Sequence, residues 1–299
     1  MKAGLDLPHP DDGSLARLVA GRVRRHGKVT SPPRPPNFAA LFADEFFSLQ
    51  RVPAFAGAGE ETQAAIRAAC AQGVLDEAYF IEKSGLAYCA RMLLLAEDTQ
   101  TRQAFALMGA DEAAHLAWIT AYVPEARRTD AAHPFLKLVA ELIEQAPSPV
   151  LVYLLQLILE GWGLAHYRDL AAAAREPALA HVFKTILKDE GMHVRLGAAL
   201  HDPRKFSDAE RTLTRDALAQ FLTLVRCGPL SVAGALAQAT GAELVSLHEA
   251  LAGEAEAARK LGLLRQLMRA EGMDWAGAEM QALGLFAPMT PAQAAALLR

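Results

Sequence analysis

The chain has 299 residues, 52% of them hydrophobic and 21% charged, with a formal net charge of −4. That length permits one large domain or two modest ones, with ample apolar material for a core. The mild negative charge gives no electrostatic reason to expect nucleic acid. Three cysteines, Cys70, Cys89 and Cys227, lie far apart without a C-x-x-C pair, which excludes a disulfide scaffold or a cysteine-ligated iron site and suits a reducing compartment. The opening M-K-A-G-L-D-L-P-H-P has no apolar run of the secretory kind. The longest apolar run, 150–159, is broken by Gln156 and ends at Glu160, too short to span a bilayer. The expectation is a soluble cytoplasmic protein with no membrane partner.

Taken in order, residues 1–36 read as a basic, proline-rich tail. R-V-R-R-H-G-K is cationic, and S-P-P-R-P-P cannot be helical, since proline lacks the amide donor and restricts its predecessor. Residues 37–52 space Phe38, Leu41, Phe42, Phe46 and Leu49 like one face of a helix, with Asn37 as a cap. From Glu60 the pattern is helical almost throughout, rich in Ala, Leu, Gln, Glu and Arg, with no convincing strand. A long helix is expected over 60–95, a turn at A-E-D-T-Q-T with Asp98 or Thr99 as cap, and a second helix to about residue 122. A proline-punctuated stretch of about 45 residues follows, holding a short amphipathic helix at 135–145. Another helical pair surrounds A-R-E-P at 174–177, where Pro177 suits a first helical turn. Beyond residue 200 come helices at 207–226 (opening on the capping-box pattern S-D-A-E), 231–239, 242–271 (with a candidate break near Gly253), 275–283 and 291–298. The expected organisation is a tail at 1–36, a helical bundle with a leading helix at 37–204, and a helical extension at 205–299.

One pattern is written twice. E-K-S-G-L-A-Y at Glu82 leads to D-E-A-A-H ending at His115, and E-G-W-G-L-A-H at Glu160 leads to D-E-G-M-H ending at His193. A single offset of 78 residues carries Glu82, Gly85, Phe105, Glu112 and His115 onto Glu160, Gly163, Phe183, Glu190 and His193. In Glu-x-x-His the two side chains lie one turn apart on one helix face and reach a common point. The expected turns fall midway between Glu82 and Glu112 and between Glu160 and Glu190, so each antiparallel pair brings its glutamates level. Four carboxylates and two imidazoles then converge, the set that holds two metals: carboxylates bridge and neutralise cations, and imidazoles leave positions open. We assign Glu82, Glu112 and His115 to one metal and Glu160, Glu190 and His193 to the other, with Glu112 and Glu190 as bridges.

Around these ligands, Asp111 and Asp189 are candidate acceptors for the outer ring N–H of the histidines, Asp111 towards His193 and Asp189 towards His115 across the bundle. Gly85 and Gly163 sit one turn past Glu82 and Glu160. Since a mid-helix glycine costs up to about 1 kcal/mol, each marks a close helix approach or an open passage to the metals. Tyr79, Cys89, Tyr153 and Tyr167 share the ligand faces by helical spacing. They are candidates for lining a pocket, with ordinary core packing as the alternative.

These residues resemble the ferritin-like diiron-carboxylate superfamily over about residues 60–200. The resemblance implies an all-α fold: a ferritin-like four-helix bundle with one long crossover, plus additional N- and C-terminal helices. It also implies the six ligands above, two iron ions or a manganese–iron pair, and dioxygen as co-substrate. The D-E-x-x-H form of both copies is similar to the oxygen-activating branches. Departures leave the branch unassigned. A radical tyrosine of ribonucleotide reductase small subunits would fall at Ile119; desaturases and multicomponent monooxygenases often carry arginine where this chain has Ala114 and Met192; a rubrerythrin would normally add a cysteine-ligated iron domain. The resulting expectation is an oxygenase or oxidase acting on a small organic substrate, with electrons from a separate donor and a homodimer as a candidate assembly. Rubrerythrin- or ferritin-like peroxide detoxification or iron oxidation is the alternative, and a scaffold with a vestigial site is a third reading.

Overall fold

The structure is a computed structural model that describes residues 2–9, 11, 13–26, 36–131, 133–270 and 272–297. The chain divides into two compact units: 1–36, 74–172 and 177–201 form the first, and 37–73, 173–176 and 202–299 the second. The segment 37–73, which the sequence groups with the bundle, therefore falls in the second unit, while the N-terminal residues fall in the first. Among the described residues the architecture is helical, with a lone antiparallel bridge between Phe42 and Ala174 and no strand.

In the first unit, part of the expected tail is helical: α1 covers Ser14–His26. The residues before it are fastened down. Arg128 donates to the Asp11 carboxylate at 2.6 Å and to the His9 carbonyl at 2.9 Å, Lys83 donates to the Leu7 carbonyl at 2.6 Å, and Leu5 is buried. The proline-rich stretch at 31–35 lies outside the described residues.

The second unit opens differently from expectation. Residues 37–52 do not form a helix but two 3-10 turns, Phe38–Ala40 and Leu49–Arg51, followed by the short α2 (Pro53–Ala56). The reason is local pairing: the Ala43 amide donates to the Ala173 carbonyl and the Arg175 amide to the Leu41 carbonyl, which takes the backbone groups a helix would need. Phe42, Phe46 and Phe47 then cluster edge-to-face and stacked.

The long helices follow the sequence closely. α3 spans Glu60–Leu95, contributing 60–73 to the second unit and 74–95 to the first. α4 spans Thr99–Thr120, and the Asp98 carboxylate accepts from the Thr101 amide at 2.9 Å as its N-cap. α5 is Pro134–Gln145. The apolar run then enters as α6 (Ser148–Leu151), changes to π winding over Val152–Leu159, and resumes as α7 (Glu160–Ala173). α8 is Pro177–Leu200. In the second unit come α9 (Asp208–Val225, with the Ser207–Glu210 capping box), α10 (Leu230–Thr240), α11 (Leu244–Ala250), α12 (Gly253–Leu267), α13 (Asp274–Ala282) and α14 (Pro291–Ala296). Two stretches, Ser148–Ala173 and Asp208–Thr240, are long and apolar enough to cross a membrane, but half of the first one's apolar window is buried inside the protein.

The region expected as 242–271 breaks between α11 and α12 at Ala252, whose φ of 55° lies in the left-handed region. A Cβ there costs about 1–2 kcal/mol that glycine escapes. Ala252→Gly is therefore expected to stabilise the protein by about 0.5–1 kcal/mol after the added freedom of the unfolded chain is subtracted. A urea midpoint that stays put or falls would contradict this.

Candidate metal centre

All six repeated ligand-type residues converge in the first unit. Glu82, Glu112, His115 and Glu190 bring one ligand atom each within 4.8 Å of one another, and so do Glu112, Glu160, Glu190 and His193. Glu112 and Glu190 belong to both groups, so two adjacent metal positions would share them. Five of the six residues are buried and Glu160 is partly so. The contributions come from α3 (Glu82), α4 (Glu112, His115), the first residue of α7 (Glu160) and α8 (Glu190, His193).

The histidines are turned the same way. His115 Nδ1 faces inwards, 3.1 Å from Glu82 Oε2 and 3.6 Å from Glu190 Oε1, while its Nε2 lies 3.2 Å from Asp189 Oδ2. His193 Nδ1 lies 3.2 Å from Glu112 Oε1 and 3.5 Å from Glu190 Oε2, and its Nε2 lies 3.3 Å from Asp111 Oδ2. One nitrogen towards the carboxylates and the other held by an aspartate is the arrangement of a metal-binding histidine. Asp111 and Asp189 thus cross between α4 and α8, each serving the histidine of the other helix.

Several buried carboxylates and imidazoles without a cation are costly, at several kcal/mol per unpaired charge. The electrostatics express that cost. Burial pushes Glu112 up to about 8 against the pull of His193, and burial with the neighbouring Glu190 pushes Glu160 well above the usual carboxylate range. Burial would raise Glu190 too, but the His115 and His193 imidazoles beside it outweigh that and hold it at about 2. Burial opposes the charge of both imidazoles, yet the surrounding carboxylates and aspartates raise them well above the usual value. Glu160 Oε2 and His193 Nδ1 are buried without a hydrogen-bond partner. Unsatisfied buried polar atoms are rare, and here both face the cluster. The donor set fits a pair of divalent cations.

A cavity of ≈ 70 Å³ adjoins the cluster, and Glu112, Glu160 and Glu190 form part of its wall. Of the residues expected to line a pocket, Gly85, Gly163 and Tyr167 do so. Tyr79, Cys89 and Tyr153 do not. Tyr79 hydrogen-bonds His9 at 3.0 Å, Cys89 packs beside Gly109 with its thiol driven up by burial, and Tyr153 stacks on His201. On α3 the cavity follows Ile81, Ser84, Gly85 and Tyr88, a strip about a quarter-turn round the helix from Glu82 and Cys89. Tyr153 precedes Glu160 through the π segment, whose i→i+5 winding turns less per residue than α and so takes Tyr153 off the face that α spacing assigns it.

The two equivalent glycines differ in role. A Cβ on Gly85 would collide with the Glu112 carboxylate, whereas one on Gly163 meets nothing within 4 Å. Gly85 thus admits a ligand side chain against the backbone of α3, and Gly163 borders open space. Tyr167 donates its hydroxyl to Glu82 Oε1, a second contact on that carboxylate beside the one from His115.

Gln156 is the residue whose role spacing does not reveal. Fully buried in the π segment, it accepts from the Tyr88 hydroxyl at 2.8 Å and donates to the His193 carbonyl at 2.8 Å. It ties the helix that presents Glu160 to both α3 and α8, and a Cβ on Gly197 would leave it too little room. The signal in the sequence was a lone amide inside an apolar run. No known family model, curated protein or solved structure matches the chain at a significant level.

Two outcomes follow from this geometry. Gly85→Ala is expected to destabilise the protein by about 1–2 kcal/mol, because overpacking against Glu112 exceeds the helix-propensity gain of up to about 1 kcal/mol; an unchanged or raised midpoint would contradict the contact. Metal loading is expected to release at least one proton per chain at pH 7, and its apparent affinity to fall as the pH drops below about 8, where Glu112 holds a proton that the metal must displace. Calorimetry in buffers of different ionisation enthalpy checks this, and a binding heat independent of buffer would refute it.

Proposed function

We propose that the chain is a non-haem oxidoreductase of the ferritin-like diiron-carboxylate kind, oxidising a small organic substrate with dioxygen at a two-iron, or manganese–iron, centre. The observation that carries the reading is the pair of overlapping Glu/His groups sharing Glu112 and Glu190. In this reading Glu82, Glu112 and His115 would hold one metal and Glu160, Glu190 and His193 the other, with Glu112 and Glu190 within reach of both. Bound there, the metal pair supplies the redox chemistry that reduces dioxygen and oxidises a substrate.

The chain's own residues set the conditions for that chemistry. Asp111 and Asp189 fix the ring orientation of His193 and His115 and raise their basicity. Tyr167, its hydroxyl held protonated by burial and by the nearby Glu82, donates to that carboxylate and limits how it can turn. The apolar wall of Ile81, Phe135, Val139, Leu155, Leu159 and Trp162 restricts water beside the carboxylates. With no flavin, nicotinamide or iron–sulfur signature in the sequence, electrons come from a separate donor or from the substrate, and the cytoplasm is the fitting compartment. Peroxide detoxification or iron oxidation without an organic substrate needs no such cavity; its presence beside Glu112, Glu160 and Glu190 favours the oxygenase or oxidase reading.

Protein purified without chelator after iron supplementation is expected to carry two transition-metal ions per chain by elemental analysis. Less than one would overturn the proposal. Glu112→Ala and His193→Ala are expected to lose most of the metal and of the reductant-dependent oxygen uptake; retention of both by each variant would favour the scaffold reading.

A further inference from the structure

The wall of the cavity beside the carboxylates carries information about what it accepts. Its hydroxyl groups are already committed inside the protein. Ser84 Oγ donates to the Ile81 carbonyl at 2.7 Å, Tyr88 donates to Gln156 at 2.8 Å, and Tyr167 donates to Glu82. His166 lies nearly parallel to Trp162, 15° between the rings. Among the described residues no lysine or arginine lines the cavity, and its charged members are the glutamates of the metal centre. Before any metal is bound, a ligand carrying a carboxylate, phosphate or sulfate would meet no lysine or arginine in this wall and would face the glutamates instead, shedding its hydration at a cost of several kcal/mol.

Size narrows the choice further. The space amounts to ≈ 70 Å³, whereas a dry protein cavity that takes up benzene measures about 150 Å³. An aromatic ring does not fit without displacing side chains, while the end of a linear chain does. Gly163 keeps this space open, since a Cβ there would meet no atom within 4 Å. Its counterpart Gly85 is needed for Glu112 instead, so only Gly163 can be enlarged without disturbing a ligand.

We infer that the wall of this cavity accepts an uncharged, slender, apolar chain end beside the metal centre, and that Gly163 sets how wide that end can be. This rests on the oxidoreductase reading for its chemistry, but its binding test does not depend on turnover. The probes are 1-butanol, butyrate and benzene, titrated calorimetrically into the metal-loaded protein and into the metal-free protein, with metal content measured separately. The expected result in the metal-free protein is 1-butanol binding at least tenfold tighter than butyrate or benzene, and in the metal-loaded protein, where the metals themselves can take a carboxylate, at least tenfold tighter than benzene. Gly163→Leu is expected to weaken 1-butanol at least tenfold at unchanged metal content and helical circular dichroism, and Gly163→Ala by a smaller factor should the leucine variant fail to fold.

Butyrate binding the metal-free protein as tightly as 1-butanol, or benzene binding either form as tightly, would overturn the inference. So would a folded Gly163→Leu variant, or a Gly163→Ala variant standing in for it, that binds 1-butanol like the parent chain. A protein that takes up no metal yet prefers 1-butanol through Gly163 would refute the oxidoreductase reading and leave the inferred selectivity of the cavity standing.

Discussion

Four glutamates gathered in a largely buried cluster are the constraint on which the first unit depends. Left to themselves they repel one another and lose hydration, and each unpaired charge costs several kcal/mol. The structure meets that cost in three ways. Glu190 lies within 3.6 Å of His115 and 3.5 Å of His193, Glu82 receives Tyr167 and lies against His115, and Glu112 and Glu160 are driven towards their protonated forms. A cluster in which two carboxylates are driven towards protonation is suited to take cations in place of protons, which links the electrostatics of the fold to its chemistry.

Holding those side chains requires precise helix placement, and two small details provide it. The missing Cβ of Gly85 lets the Glu112 carboxylate lie against α3, and Gln156 bonds to α3 and α8 from the π segment that presents Glu160. π winding is rare, and it is found frequently at functional sites. Here it turns the helix between Tyr153 and Glu160, so that Glu160 enters the cluster while Tyr153 packs elsewhere on His201. The space beside Gly163 completes the arrangement, since the cavity that it borders places an apolar wall next to Glu112, Glu160 and Glu190.

Much of this was legible because it was periodic. Helix spacing, the caps at Asp98 and Ser207, and the offset that repeats Glu…Asp-Glu-x-x-His depend on local rules that act within a few residues. The equidistance of Glu82 and Glu112 from their turn similarly places them level. The failures came where local rules were overridden. Residues 37–52 have a helical apolar pattern, yet their backbone pairs with 173–175 instead. Cys89 and Tyr153 share a face with the ligands on an ideal helix, yet the cavity runs a quarter-turn away from one and the π segment displaces the other.

By itself, then, the sequence determined that the protein is helical and that Glu82, Glu112, His115, Glu160, Glu190 and His193 form one set with Asp111 and Asp189 beside them, because residue type and helical spacing carry that information. Only the tertiary structure decided which nitrogen of each histidine faces the carboxylates, which of two equivalent glycines makes room for a ligand and which opens a cavity, and where the helix leaves α geometry. Those outcomes depend on side chains from helices far apart in the chain competing for the same few ångströms, and no single helix contains that information.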